Sequence, residues 1–146
     1  MFRGNAPARV DDKGRLKIPN GFRSLLEGKY GRELFVTSVT GEAVQIYPMP
    51  VWLEIEEKLG AMPSTHPAKL RFLDRVNYFG QTAEIDAQGR VLIPMRLRQS
   101  ALMSGEVDVL GNYNRLDVWN HDRLESRLKN EPYSDADARA LAEYGI

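Results

Sequence analysis

The sequence contains no cysteine, which excludes disulfides, thiol catalysis and thiolate metal sites. Imidazole is almost as scarce. His66 and His121 lie far apart and read as a loop residue and a helix-start residue, so no metal centre is expected. No apolar run approaches the roughly 18 residues of a membrane span. The opening Met1-Phe2-Arg3-Gly4-Asn5 lacks the apolar core of a signal peptide, so the expected compartment is the cytoplasm. Catalytic signatures are missing too: there is no Gly-x-Ser-x-Gly elbow, P-loop, Gly-x-Gly-x-x-Gly or His-Glu-x-x-His. The expectation is a protein that is not an enzyme and needs no cofactor. What remains is a 146-residue chain, 42% hydrophobic and 27% charged, which suits one soluble domain or two small ones.

Net charge is also absent, but a pattern lies beneath the zero. Residues 1–35 carry eight Lys and Arg against four acids, and residues 65–103 carry six against three. The intervening and final blocks are acidic, with one against four over 36–64 and five against nine over 104–146. Alternating blocks fit two basic faces aimed at a polyanion, and they also fit ordinary surface charge.

An internal repeat decides more. Asp11-Asp12-Lys13-Gly14-Arg15-Leu16-Lys17-Ile18-Pro19 aligns at an offset of 75 with Asp86-Ala87-Gln88-Gly89-Arg90-Val91-Leu92-Ile93-Pro94. The match extends to Ala8 with Ala83 and to Arg23 with Arg98. Gly14 and Gly89 fit a tight turn with positive φ, and Pro19 and Pro94 fit the first position of a short helix. Strands are expected at 34–37 and 43–47, and again at 107–110 and 115–119. A helix follows each pair, over 51–59 and 122–129. Each unit thus reads β-β-α-β-β-α.

The organisation expected is a first repeat over 1–60, a linking helical region over 61–78, a second repeat over 79–130, and an acidic, helical, peripheral tail over 131–146. A unit of about 60 residues buries too little surface alone, so two units sharing one core are expected.

At these residues the sequence resembles the MraZ family of bacterial transcriptional regulators. The resemblance rests on Asp11-x-x-Gly14-Arg15, Tyr47-Pro48-x-Pro50-x-Trp52, Asp86-x-x-Gly89-Arg90 and Asn114-Arg115-x-x-x-Trp119, and covers nearly the whole chain. It implies a β-rich α+β fold: tandem AbrB-like double-hairpin repeats fused into a pseudo-dimeric β-barrel with appended helices. It also implies a ring-like homo-oligomer, larger than a dimer. That assembly would bind direct repeats in double-stranded DNA upstream of its own operon, in the division and cell-wall gene cluster. The rival reading is an AbrB-like antitoxin or other protein-binding module.

Arg15 and Arg90 are the leading DNA-binding candidates, because a guanidinium meets phosphate or guanine edges in a bidentate way. Each could instead pair with the aspartate four positions back, and the two roles are compatible. Asp11 and Asp86 read as orienting groups, with Gly14 and Gly89 shaping the turns. Lys13 and Lys17 extend the first patch, whereas the second unit has Gln88 and Leu92, so the first unit is the stronger electrostatic candidate. Arg3, Arg9 and Arg23 carry a weaker case, and Arg3 is either a mobile arm reaching DNA or a solubilising terminus. Arg23 and Arg98 read as packing or pairing residues. Trp52, Trp119, Tyr47, Tyr113 and Phe22 read as core or subunit interface.

Overall fold

The computed structural model describes residues 1–146. Fourteen elements follow the repeat. The first unit gives β1 (Asn5–Val10), β2 (Arg15–Lys17), α1 (Asn20–Lys29), β3 (Glu33–Thr37), β4 (Val44–Pro48) and α2 (Met49–Gly60). Next comes α3 (Pro67–Phe79). The second unit gives β5 (Gln81–Glu84), β6 (Arg90–Leu92), α4 (Met95–Ser100), β7 (Gly105–Asn112), β8 (Arg115–Asn120) and α5 (His121–Asn130). The tail helix α6 spans Asp135–Ala142.

The eight strands form one sheet in the order β5-β3-β4-β8-β7-β1-β2-β6, with every pairing antiparallel. The turn from β5 to β6 joins the two ends of that order, so the sheet curls into a nearly closed barrel. Strands from the two units interleave. β1 pairs with β7, β5 with β3, β2 with its counterpart β6, and β4 with its counterpart β8. The two repeats are therefore halves of one body, not neighbouring domains.

Strand alternation explains the core. Val10, Leu16, Leu34, Val36, Val44, Ile46, Val91, Val107, Val109, Leu116 and Val118 point inward and are buried, joined by Phe22 and Leu26 of α1 and Leu97 of α4. Outward neighbours such as Lys17 and Leu92 are exposed. Pro19 and Pro94 sit one residue earlier than the sequence suggests. They occupy the cap position with extended ψ of 140° and 143°, and each helix begins at the next residue. Proline at a cap is compatible, since its fixed φ suits the approach to a helix.

A second apolar layer lies outside the barrel. Trp52 of α2 stacks on Phe35 at 4.5 Å between centroids and leans on Tyr47 at 5.0 Å, and Val76 of α3 closes the cluster. The Thr37 hydroxyl donates to the Val76 carbonyl at 2.7 Å and ties α3 to β3. On the pseudo-equivalent side, α5 lays Leu124 against Trp119 and Ala43. Of the two places expected for Tyr113, core or subunit interface, it does not take the core. It is 66% exposed, with φ of +63° at the tip of the β7-β8 hairpin.

Candidate nucleic-acid interface

The two Asp-x-x-Gly-Arg segments build the same turn twice. In the first, Asp11 Oδ1 accepts the backbone N–H groups of Lys13 at 3.0 Å and Arg15 at 2.8 Å. Its Oδ2 accepts Nε of Arg15 at 2.8 Å. The second turn repeats this: Asp86 Oδ1 accepts from Gln88 and Arg90, each at 2.9 Å, and Oδ2 accepts Nε of Arg90 at 3.0 Å. Gly14 at φ +81° and Gly89 at φ +78° close the turns in a region that side chains rarely adopt.

These bonds set the charge state. The Arg15 backbone N–H, aided by the guanidinium, holds Asp11 below its ordinary carboxyl value, against a smaller opposing effect of burial. The Arg90 backbone N–H does the same to Asp86 and brings it to about 2. Both carboxylates stay ionised through neutral pH. Each engages the guanidinium of its arginine only through Nε, so the two Nη groups of Arg15 and of Arg90 are left for another partner. Pairing and ligand contact are therefore compatible in one side chain.

The strand exchange then brings the two motifs together. In the β2-β6 pair Arg15 lies opposite Leu92, Leu16 opposite Val91, and Lys17 opposite Arg90. Leu16 and Val91 point inward, so Arg15, Lys17, Arg90 and Leu92 share the outer face. The Lys17 amine donates to the Gln88 carbonyl of the second turn. The expected pair of separate basic faces is thus replaced by one composite face. An open groove on it is lined by Arg9, Asp11, Arg15, Lys17, Arg90 and Ser104, among others.

Each turn is also braced by the other unit. Ile18 N–H donates to the Gly89 carbonyl and Ile93 N–H to the Gly14 carbonyl, both at 2.9 Å. Arg98 lies against Gly14 and Arg23 against Gly89. The symmetry breaks at their partners. Arg23 donates to Glu27 at 2.9 Å and to the Ala87 carbonyl at 3.2 Å, whereas Nε of Arg98 is buried without a partner.

Of the residues singled out from sequence, Arg15, Lys17, Arg90, Asp11 and Asp86 meet on this face, and Lys13 sits exposed in the first turn. Arg3 does not join them. It lies beside Gly111, at the far end of β1, about 20 Å along a six-residue strand from the motif. Nor is its segment a free arm: Phe2 is buried, and its N–H donates to the Tyr113 carbonyl at 2.7 Å. Arg9, only a weaker candidate from sequence, is placed at the border of the groove by the register of β1 beside β2.

No group of three or more His, Cys, Asp or Glu side chains could hold a metal ion. No helix is long and apolar enough to cross a membrane.

Fold and site together define a class: a fused tandem-repeat β-barrel with exchanged hairpins, presenting twinned arginine turns on one basic face. The family model for "MraZ protein, putative antitoxin-like" matches residues 1–75 and 80–143, and the chain belongs to the MraZ family. It is 48% identical over 146 residues to a protein of Acidobacterium capsulatum named transcriptional regulator MraZ, with both chains fully covered. A protein of the same name from Koribacter versatilis is 44% identical over 147 residues, again with full coverage of both. One from Escherichia coli is 33% identical, covering 97% of this chain and 91% of its own.

Proposed function

We propose that this chain is a sequence-specific DNA-binding transcriptional regulator, acting as a repressor. It would bind direct repeats in double-stranded DNA upstream of its own operon, which lies in the division and cell-wall cluster. The observation that carries the reading is the β2-β6 register, which sets Arg15, Lys17 and Arg90 side by side on an outer face. Four cations (Arg9, Arg15, Lys17, Arg90) outnumber the two carboxylates (Asp11, Asp12) in the groove lining. Lys13 and Lys17 would engage phosphates and so set affinity and orientation. The Nη groups of Arg15 and Arg90, aimed by their aspartates, would read base edges in the major groove. Arg3, remote from this face, would touch only flanking DNA. The relatives' shared name, transcriptional regulator, supports the same assignment.

The protein acts without cofactor or catalysis, in the cytoplasm and on the nucleoid. Its working form is a ring-like homo-oligomer larger than a dimer. Copies of the basic face would then meet operator boxes spaced near one helical turn, roughly 10 bp. A footprint of the purified protein on the DNA upstream of its gene tests this directly. Protection of repeated boxes, weakening steeply with salt, is expected. Uniform, sequence-indifferent protection or no binding would overturn the reading and favour a protein-binding module.

A further inference from the structure

The C-terminal segment poses a physical problem. Every residue from Glu125 to Ile146 is exposed, yet the segment carries Tyr133, Leu141, Tyr144 and Ile146 at 69%, 37%, 81% and 81% exposure. Within it, α6 is properly begun: the Ser134 hydroxyl accepts the Asp137 N–H at 3.1 Å, and Asp137 accepts the Ser134 N–H at 2.9 Å. A capped start alone does not hold eight residues helical, since isolated helices shorter than about 12–15 residues are marginal in water. Such a helix needs a surface to pack on, and within its own chain it rests against none.

A suitable surface exists elsewhere on the same molecule. Between α2 and α3 runs an open groove floored by Ile55, Leu59, Met62 and Phe72 and edged by Lys58 and Lys69. No acid lines it. Residues 131–146 carry Glu131, Asp135, Asp137 and Glu143 against the single cation Arg139. The apolar side of the tail matches the floor, and its acids match the lysine edges. The same acids make this segment a poor ligand for DNA.

We propose that α6 of one copy docks in the α2-α3 groove of a second copy of this chain. Helix and groove are different surfaces, so the contact is head to tail, and such contacts close into rings when the rotation permits. One short helix covers less than the roughly 1,000 Å² a stable interface needs. A ring in which every copy gives one helix and receives one gains the missing avidity. The inference rests on the homo-oligomer in the proposed function and supplies a contact for it.

The absence of native cysteine makes a clean test possible. Full-length Leu59→Cys and Leu141→Cys proteins are mixed under mild oxidation, and the double variant is oxidised alone. The mixture should give a covalent dimer, and the double variant a ladder up to the ring's own mass. Gly28→Cys in place of Leu59→Cys, on the exposed side of α1, should give none. In parallel, Leu141→Asp with Tyr144→Asp should lower the mass measured by light scattering while the circular dichroism spectrum stays that of the folded parent. An oligomeric native protein whose mass ignores these tail substitutions, and whose cysteines cross-link no better than the control, overturns the docking and leaves the ring standing. A monomeric native protein overturns both.

Discussion

Lys17 lies directly across the sheet from Arg90, although 73 positions separate them in the chain. Along the sequence, Lys17 belongs to the first motif, which leaves the other motif poorer in charge. In the fold it serves both, and its amine reaches the carbonyl of Gln88 in the second turn. Arg15→Ala and Arg90→Ala should therefore weaken operator binding by similar amounts, each losing about 1–3 kcal/mol where a bidentate base contact is removed. Lys17→Ala should instead flatten the salt dependence with little change in sequence preference. Binding isotherms at several salt concentrations, on operator and scrambled DNA, check both. Wild-type affinity in a folded Arg15→Ala protein would remove Arg15 from the site.

Asp11 and Asp86 hold the turns more firmly than the arginines do. Each carboxylate accepts two backbone N–H groups besides the guanidinium, so deleting the guanidinium leaves two bonds in place. Asp11→Ala and Asp86→Ala are thus expected to lower the melting temperature more than Arg15→Ala and Arg90→Ala. The sign of the pH effect follows. Asp86 is held down to about 2 from an ordinary 3.8, so its contribution is complete above about 3.8 and fades as pH falls toward 2. Comparing Asp86→Asn with the parent by thermal melts across pH 2–5 should show the difference shrinking toward the acid end.

Much of this was legible because the repeat carries residues with distinct backbone roles. Glycine at the turn, proline before the helix and aspartate four before arginine left little freedom in the local structure. Strand partners were not legible. A three-residue strand such as β2 offers one inward and two outward side chains, and many edges would accept that alternation. The exchange that pairs β2 with β6 is set by global packing, and with it went the composite face, the place of Arg9 and the remoteness of Arg3. Arg23 and Arg98 read as packing or pairing residues, but the turns they lie against, at Gly89 and Gly14, belong to the opposite unit. Tyr113 tips a hairpin outside the core, which leaves the subunit-interface alternative of its reading.

His121, the first residue of α5, joins Asp108 through Nδ1 at 2.7 Å and Glu125 through Nε2 at 3.0 Å. The hydrogen bond and charge of Asp108 raise its pKa above the ordinary 6.5, with Glu125 and Asp122 adding to the effect. A raised value means stabilisation that is complete below about 6.5 and lost as pH rises through the folded pKa. Melting temperatures of the parent and of His121→Gln should converge on the alkaline side and separate below pH 6.5. Parallel curves across that window would remove the ion pair from the account.

Three glycines should respond to alanine with opposite signs. Gly14 and Gly89 both sit at positive φ, which costs an L-residue roughly 1–2 kcal/mol. A Cβ at Gly14 would also fall 2.3 Å from Arg98 Cζ, and one at Gly89 would fall 2.8 Å from Arg23 Nη1. Either arginine side chain must shift, which loosens its contact across the units while the backbone bonds of Ile18 and Ile93 remain. Gly14→Ala and Gly89→Ala should therefore lower stability by more than the backbone cost alone, Gly14→Ala more severely, and each should weaken DNA binding by disordering its turn. Gly28 lies inside α1, exposed, with nothing within 4 Å of a Cβ and no left-handed φ. Gly28→Ala should raise stability by about 0.5–1 kcal/mol, through helix propensity and a less free unfolded chain. Denaturant unfolding of the three variants, with DNA affinity measured beside it, reads both signs at once. A Gly14→Ala protein as stable as its parent would show that the turn does not need its left-handed residue.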